Sequence, residues 1–163
     1  MKKERCLLMS LEMCTYLRSN ERALDDMNKK RVLTVGVYDI LHIGHILLFK
    51  HAREFGDFLI VAVQESEVVR KYKPNAKMVY TTNERMFMVG SLKFVDQVVA
   101  YREVDDIVKE IEFDVLAIGP DQNHQGFQRA VKWAKENGKE VVVIPRTEGV
   151  SSTILRDYLK NND

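Results

Sequence analysis

From Arg31 onward, short runs of consecutive apolar residues alternate with stretches in which apolar residues recur every three or four positions. The runs predict strands over Val32–Val37, Phe58–Val63, Gln97–Tyr101, Val115–Gly119 and Glu140–Ile144. The spaced stretches predict helices over His45–Phe55, Thr81–Leu92, Asp105–Glu112, Gln125–Asn137 and Ser151–Leu159. In the first helix Ile46, Leu48, Phe49 and Ala52 define the inner face; Gly138 suits the position after the fourth, and Ser151 the cap of the last. Strands alternating with helices imply parallel pairing through helical crossovers. Runs such as Val115-Leu116-Ala117-Ile118 and Val141-Val142-Val143-Ile144 lack any polar alternation, which fits a sheet covered on both faces. The expected architecture is a doubly wound, five-stranded parallel α/β sheet, whose ligands bind beyond the carboxyl ends of the strands where strand order reverses.

Residues 1–30 follow a different pattern. Leu7, Leu8, Leu11, Tyr16, Leu17 and Leu24 recur among charges and predict an N-terminal helical extension, with residues 31–163 as the main domain. Met27 precedes the first strand, so a start there leaves the core intact. At 163 residues with 45% hydrophobic content, the chain has room for one domain and excludes global disorder. Its 25 basic and 24 acidic residues give a net charge of +1, which excludes a nucleic-acid coat and requires that any polyanion be held by a local cluster. Cys6 and Cys14 make no disulfide framework or metal pair. No stretch approaches the length of a membrane span, and a cytoplasmic protein without membrane insertion is expected.

Two segments carry chemistry. The first strand runs into Gly36-Val37-Tyr38-Asp39-Ile40-Leu41-His42-Ile43-Gly44-His45. Two histidines three apart meet a helix start there, where unpaired N–H groups and the helix dipole attract phosphate, and Gly44 permits close backbone approach. The same residues also suit a polar helix cap, and an H-x-x-H pair suits zinc, although no further ligand sits at familiar spacing. The second segment, Pro145-Arg146-Thr147-Glu148-Gly149-Val150-Ser151-Ser152-Thr153, follows the last strand. Arg146 offers a planar fork for phosphate, and Ser151, Ser152 and Thr153 set hydroxyls and amides at another helix start. Both segments lie at strand carboxyl ends and together suit a nucleoside triphosphate.

These segments resemble the paired signatures of the cytidylyltransferases in the HxGH nucleotidyltransferase superfamily, above all those acting on glycerol 3-phosphate. The likeness spans roughly Arg31 to Leu159, with G-x-[FY]-D-x-x-H-x-G-H and R-T-E-G-[IV]-S-[ST]-[ST] in the family's order. It implies a Rossmann-like fold and transfer of CMP from CTP to a small phosphorylated acceptor, with release of pyrophosphate. A homodimer through the Arg85–Val99 region, Mg²⁺ or another divalent cation, and a role in cell-surface polymer synthesis also follow from it.

By the same likeness His42 and His45 contact the triphosphate and stabilise the leaving pyrophosphate, and Arg146 joins them as a catalytic group. Val37, Tyr38, Gly44, Thr147, Ser151, Ser152 and Thr153 bind the nucleotide. Lys71 and Lys73 match a K-x-K segment near the α-phosphate and the acceptor phosphate, and Arg85 matches an acceptor-phosphate arginine. Asp39 matches an acidic residue that holds Mg²⁺ directly or through water, and Asp121 one that shapes the nucleotide or acceptor pocket. Where such enzymes often carry Trp, this chain has Val104 and Gln122, so the acceptor pocket differs. Ser151-Ser152-Thr153-Ile154-Leu155-Arg156 also matches the S-x-T-x-x-R ending of adenylyltransferases, leaving an ATP-dependent enzyme as one alternative and a non-catalytic nucleotide-binding module as another. His-Ile-Gly-His is shared with class I aminoacyl-tRNA synthetases, whose further tRNA-binding mass a chain of 163 residues lacks.

Overall fold

The computed structural model describes residues 28–75 and 77–161; most of the predicted N-terminal extension lies outside them. Five strands, β1 (Arg31–Gly36), β2 (Phe58–Gln64), β3 (Gln97–Tyr101), β4 (Val115–Ile118) and β5 (Glu140–Val143), form one sheet in the order β3-β2-β1-β4-β5. Every pairing is parallel, with Val32 opposite both Leu59 and Val115. The order reverses between β1 and β4, so their carboxyl ends open a crevice there.

Six helices flank the sheet: α1 (Ile43–Arg53), α2 (Ser66–Tyr72), α3 (Thr82–Gly90), α4 (Val104–Glu110), α5 (Gln125–Glu136) and α6 (Ser152–Lys160). Successive strand residues point to opposite faces; in β1, β2 and β4 both faces are buried, which is why these strands show no polar alternation, whereas the edge strands β3 and β5 are only partly covered, with Val143 59% exposed despite its apolar run. Leu33, Val35, Ile60 and Leu116 pack with Ile107 and Val108 of α4 and Phe127, Ala130 and Ala134 of α5. On the other face Val32, Leu59, Val61 and Ala117 pack with Phe49 and Ala52 of α1 and Val89 of α3. Fully burying one such side chain contributes about 1.5–3 kcal/mol. α6 differs from the others in having no buried residue.

The predicted strands and five predicted helices are present, with ends shifted by up to two residues. Helix α2 is an addition: seven residues with two adjacent valines are too short to show a helical period, and Val68 and Val69 are folded into the helix by burial. Ser151 caps α6 by accepting the N–H of Ile154, as its position predicts. α3 begins with a reciprocal capping box between Thr81 and Glu84. No helix among the described residues is long and apolar enough to cross a membrane.

Candidate active site

The corner between β1 and α1 is built around an aromatic wedge. Tyr38 turns back over the end of its own strand, where a Cβ on Gly36 would lie 2.7 Å from the tyrosine ring; only glycine leaves room. The Tyr38 ring meets His45 edge-on at 5.3 Å and Phe49 at 4.9 Å, so it fixes the face of α1 that carries His45. Its hydroxyl lies 3.4 Å from that of Thr34, a polar pair inside the core, and burial raises the phenol's pKa. The backbone is left-handed at Tyr38 (φ 55°) and Ile40 (φ 49°), the only non-glycine residues of that kind among those described. Such a conformation is unusual for tyrosine and isoleucine and costs on the order of 1–3 kcal/mol each. It turns Asp39, between them, into the interior.

His42 and His45 stack with ring centres 3.8 Å apart. His42 caps α1: its Nδ1 accepts the N–H of Gly44 at 3.1 Å, so the neutral ring carries its proton on Nε2. A Cβ on Gly44 would crowd the His42 ring at 3.0 Å. Burial lowers the pKa of His42, and the Arg146 charge lowers it further. His45 is pushed down to about 4, chiefly by burial and next by His42, against an opposing pull from Asp39. Its Nδ1 is buried without a hydrogen-bond partner, an unmet polar group of the kind found at functional sites. Both imidazoles are neutral near pH 7.

One consequence is measurable without substrate. Below pH 6.5 the unfolded chain's imidazole takes up a proton that the folded site refuses until about pH 4. His45 therefore costs no stability above pH 6.5 and destabilises progressively as the pH falls from 6.5 to 4. His45→Gln is predicted to lose less stability than wild type over that interval in thermal melts; parallel melting curves would count against the assignment.

The second corner meets the first. Ser152 Oγ donates to the backbone carbonyl of Asp39 at 3.0 Å, and a Cβ placed on Gly44 would stand 3.8 Å from that of Thr147. A 440 Å³ cavity opens between them, lined by His42, Gly44 and His45 on one side and Arg146, Thr147 and Ser151–Thr153 on the other. Val37, Tyr38, Asp39, Lys73 and Asp121 also line it. Arg146 reaches Asp121 at 2.6 Å across the mouth, both side chains being more than half exposed. At the switch point Gln122 ties the strand ends together, donating to the Val35 carbonyl at 2.7 Å and accepting the Gly119 N–H at 2.8 Å. The aromatic residue expected there by resemblance is thus replaced by a backbone bridge.

Three expectations are corrected by this geometry. Arg85 is wholly buried and absent from the cavity wall; its guanidinium donates to the Val37 carbonyl and to the hydroxyls of Ser66 and Thr82. It supports the corner from behind and has no exposed atom to offer an acceptor. Lys71 sits on the last turn of α2 with its ammonium 5.3 Å from the Tyr72 ring, outside the cavity lining that includes Lys73. Asp39 does not fit a metal site. One carboxylate oxygen accepts the Tyr80 N–H at 3.1 Å, and the other the Val79 N–H at 3.1 Å and an Arg156 N–H at 2.6 Å. No cluster of three or more His, Cys, Asp or Glu able to hold a metal ion occurs among the described residues.

Arg156 was not among the predicted site residues, yet it lines the cavity and holds Asp39. Its spacing offered a signal: Ser152 and Arg156, four apart, share one face of α6, and both bond to Asp39.

A doubly wound sheet with two helix starts converging on a basic cleft at its switch point defines a nucleotidyltransferase. Residues 33–158 match the cytidylyltransferase-like family model, and the chain belongs to that family. It is 36% identical over 138 residues to the glycerol-3-phosphate cytidylyltransferase of Staphylococcus aureus, covering 82% of this chain and 98% of that protein. It is 39% identical over 121 residues to the FAD synthase of Thermococcus sibiricus, covering 72% of this chain and 81% of that protein. Among solved structures, a lipopolysaccharide core biosynthesis protein of Thermoplasma volcanium superposes with a TM-score of 0.62 at 27% identity, covering 74% of this chain and 98% of that one.

Proposed function

We propose that the protein transfers CMP from CTP to a small phosphorylated polyol, with glycerol 3-phosphate as the leading acceptor, and forms a CDP-activated precursor for cell-surface polymers. The observation that carries this reading is the single cavity shared by the histidine corner and the Arg146–Thr153 corner. The 36% identity to a glycerol-3-phosphate cytidylyltransferase supports the choice of acceptor. A phosphate oxygen of the acceptor attacks the α-phosphorus in line, the bond from that phosphorus to the bridging oxygen of the β-phosphate breaks, and pyrophosphate leaves with the electron pair. The acceptor phosphate is a sufficient nucleophile, so the protein contributes alignment and charge stabilisation. His42 Nε2–H, Arg146 and the amides and hydroxyls at the start of α6 face the leaving pyrophosphate; Lys73 serves the acceptor side. A divalent cation brought in with the nucleotide would offset phosphate charge; Asp39 is engaged by Val79, Tyr80 and Arg156.

A second reading, transfer of AMP from ATP, draws on the similarity to an FAD synthase and on the Ser151–Arg156 pattern. Pyrophosphate release measured with CTP and with ATP, each with glycerol 3-phosphate, separates the two. Release with CTP alone, accompanied by a CDP-glycerol mass, is the expected result; preference for ATP reverses the base assignment. The proposal includes a homodimer through α3, where Phe87 stands 78% exposed beside a groove lined by Met86, Val95 and Val98.

A further inference from the structure

Asp39 joins three parts of the site that are distant in sequence. Its carboxylate accepts the N–H groups of Val79 and Tyr80, in the segment that follows Lys73 and includes the cavity-lining Met78. The same carboxylate accepts from Arg156, which also donates to the Lys77 carbonyl at 3.4 Å, and its backbone carbonyl accepts from Ser152. Arg156 and Ser152 belong to α6, the helix without a buried side chain. These polar bonds to Asp39 therefore stand where apolar packing anchors α1, α3, α4 and α5. The left-handed residues on either side of Asp39 turn it inward to make them. Asp39 itself is 5% exposed, and those partners supply the hydrogen bonds its buried carboxylate needs.

We propose that Arg156 is a positioning residue that, through Asp39, couples the side of the cavity formed by Lys73 and Met78–Tyr80 to the phosphate cradle of α6, so that acceptor and nucleotide tighten each other's binding. This inference rests on the two-substrate reading above. Both sides rest on the same Asp39–Arg156 pair, so a ligand that fixes one side fixes the pair and leaves the second ligand less to order. Linkage makes the effect reciprocal.

The test is calorimetric titration of the full-length protein with the non-reacting nucleotide α,β-methylene-CTP, without and with saturating glycerol 3-phosphate, in wild type, Arg156→Ala and Arg156→Lys. Circular dichroism checks the fold. In wild type the acceptor is expected to tighten the nucleotide by at least about 5-fold, the lower end of ordinary coupling between sites. Arg156→Ala is expected to reduce that factor to about 1-fold, and Arg156→Lys, which keeps the charge but not the fork, to restore part of it. If Arg156→Ala does not fold, the lysine variant decides: a factor below half the wild-type value supports the proposal, and an unchanged one overturns it. Weakened nucleotide binding in a folded Arg156→Ala with the factor intact makes Arg156 a simple phosphate ligand and also overturns it. Wild type that binds both compounds with no coupling sinks the inference while leaving the two-substrate reading standing, whereas wild type that fails to bind the nucleotide removes both.

Discussion

His42→Ala and His45→Ala are each expected to lower turnover by about 10²–10³-fold, the usual cost of losing one preorganised donor at a developing charge, with the fold retained. The expectation follows from how the two rings are held. His42 is oriented by the Gly44 N–H, and His45 is pinned between His42 and Tyr38. A positioned donor loses little freedom in the transition state, and its removal is felt in kcat more than in KM. Neutral rings also avoid the repulsion that two stacked cations would suffer, and His42 still donates from Nε2. The measurement is steady-state pyrophosphate release, with the fold checked by circular dichroism. Activity of either folded variant within a factor of about three of wild type would remove the histidines from the chemistry, since a loss of that size falls far below the donor effect.

Arg85→Ala is expected to destabilise the protein by about 2–4 kcal/mol, in the range for breaking a buried charged hydrogen-bond network. The guanidinium holds the Val37 carbonyl at the very corner that carries Tyr38 and Asp39, and it links Ser66 of α2 to Thr82 of α3. Its removal takes the guanidinium donor from the Val37 carbonyl and opens a cavity, while the Ser66 and Thr82 hydroxyls keep their bond to each other. Urea denaturation measures the effect. A variant as stable as wild type but with a raised KM for the acceptor would restore Arg85 to the role of substrate ligand and contradict its placement here.

The sheet is legible from the chain because each strand is a nearly pure apolar run and every crossover helix except the two-turn α2 has its own period, so local pattern and global architecture agree. The two phosphate corners are legible for another reason: glycine, histidine and hydroxyl residues cluster where strand passes to helix. What the sequence hides is which polar residues face inward. Arg85 reads as an exposed helical arginine, yet it lies four residues before buried Val89 on the same face of α3, a spacing that marks the inner side. Asp39 sits in a motif and reads as a ligand; its partners, Val79, Tyr80 and Arg156, lie 40, 41 and 117 positions away, and no local pattern announces bonds of that range. Lys71 and Lys73 are equivalent in a string of letters, but a two-turn helix ends between them and sends only the second into the cavity wall.

The central claim is that two corners, one after β1 and one after β5, hold the same triphosphate. A crystal structure with α,β-methylene-CTP tests it most directly. The β- and γ-phosphates are expected in one chain of hydrogen bonds that runs from His42 Nε2 and His45 to Arg146 and the first amides of α6, with Asp121 displaced from Arg146. A triphosphate bound to only one corner, or lying outside the cleft with Arg146 still on Asp121, would contradict it.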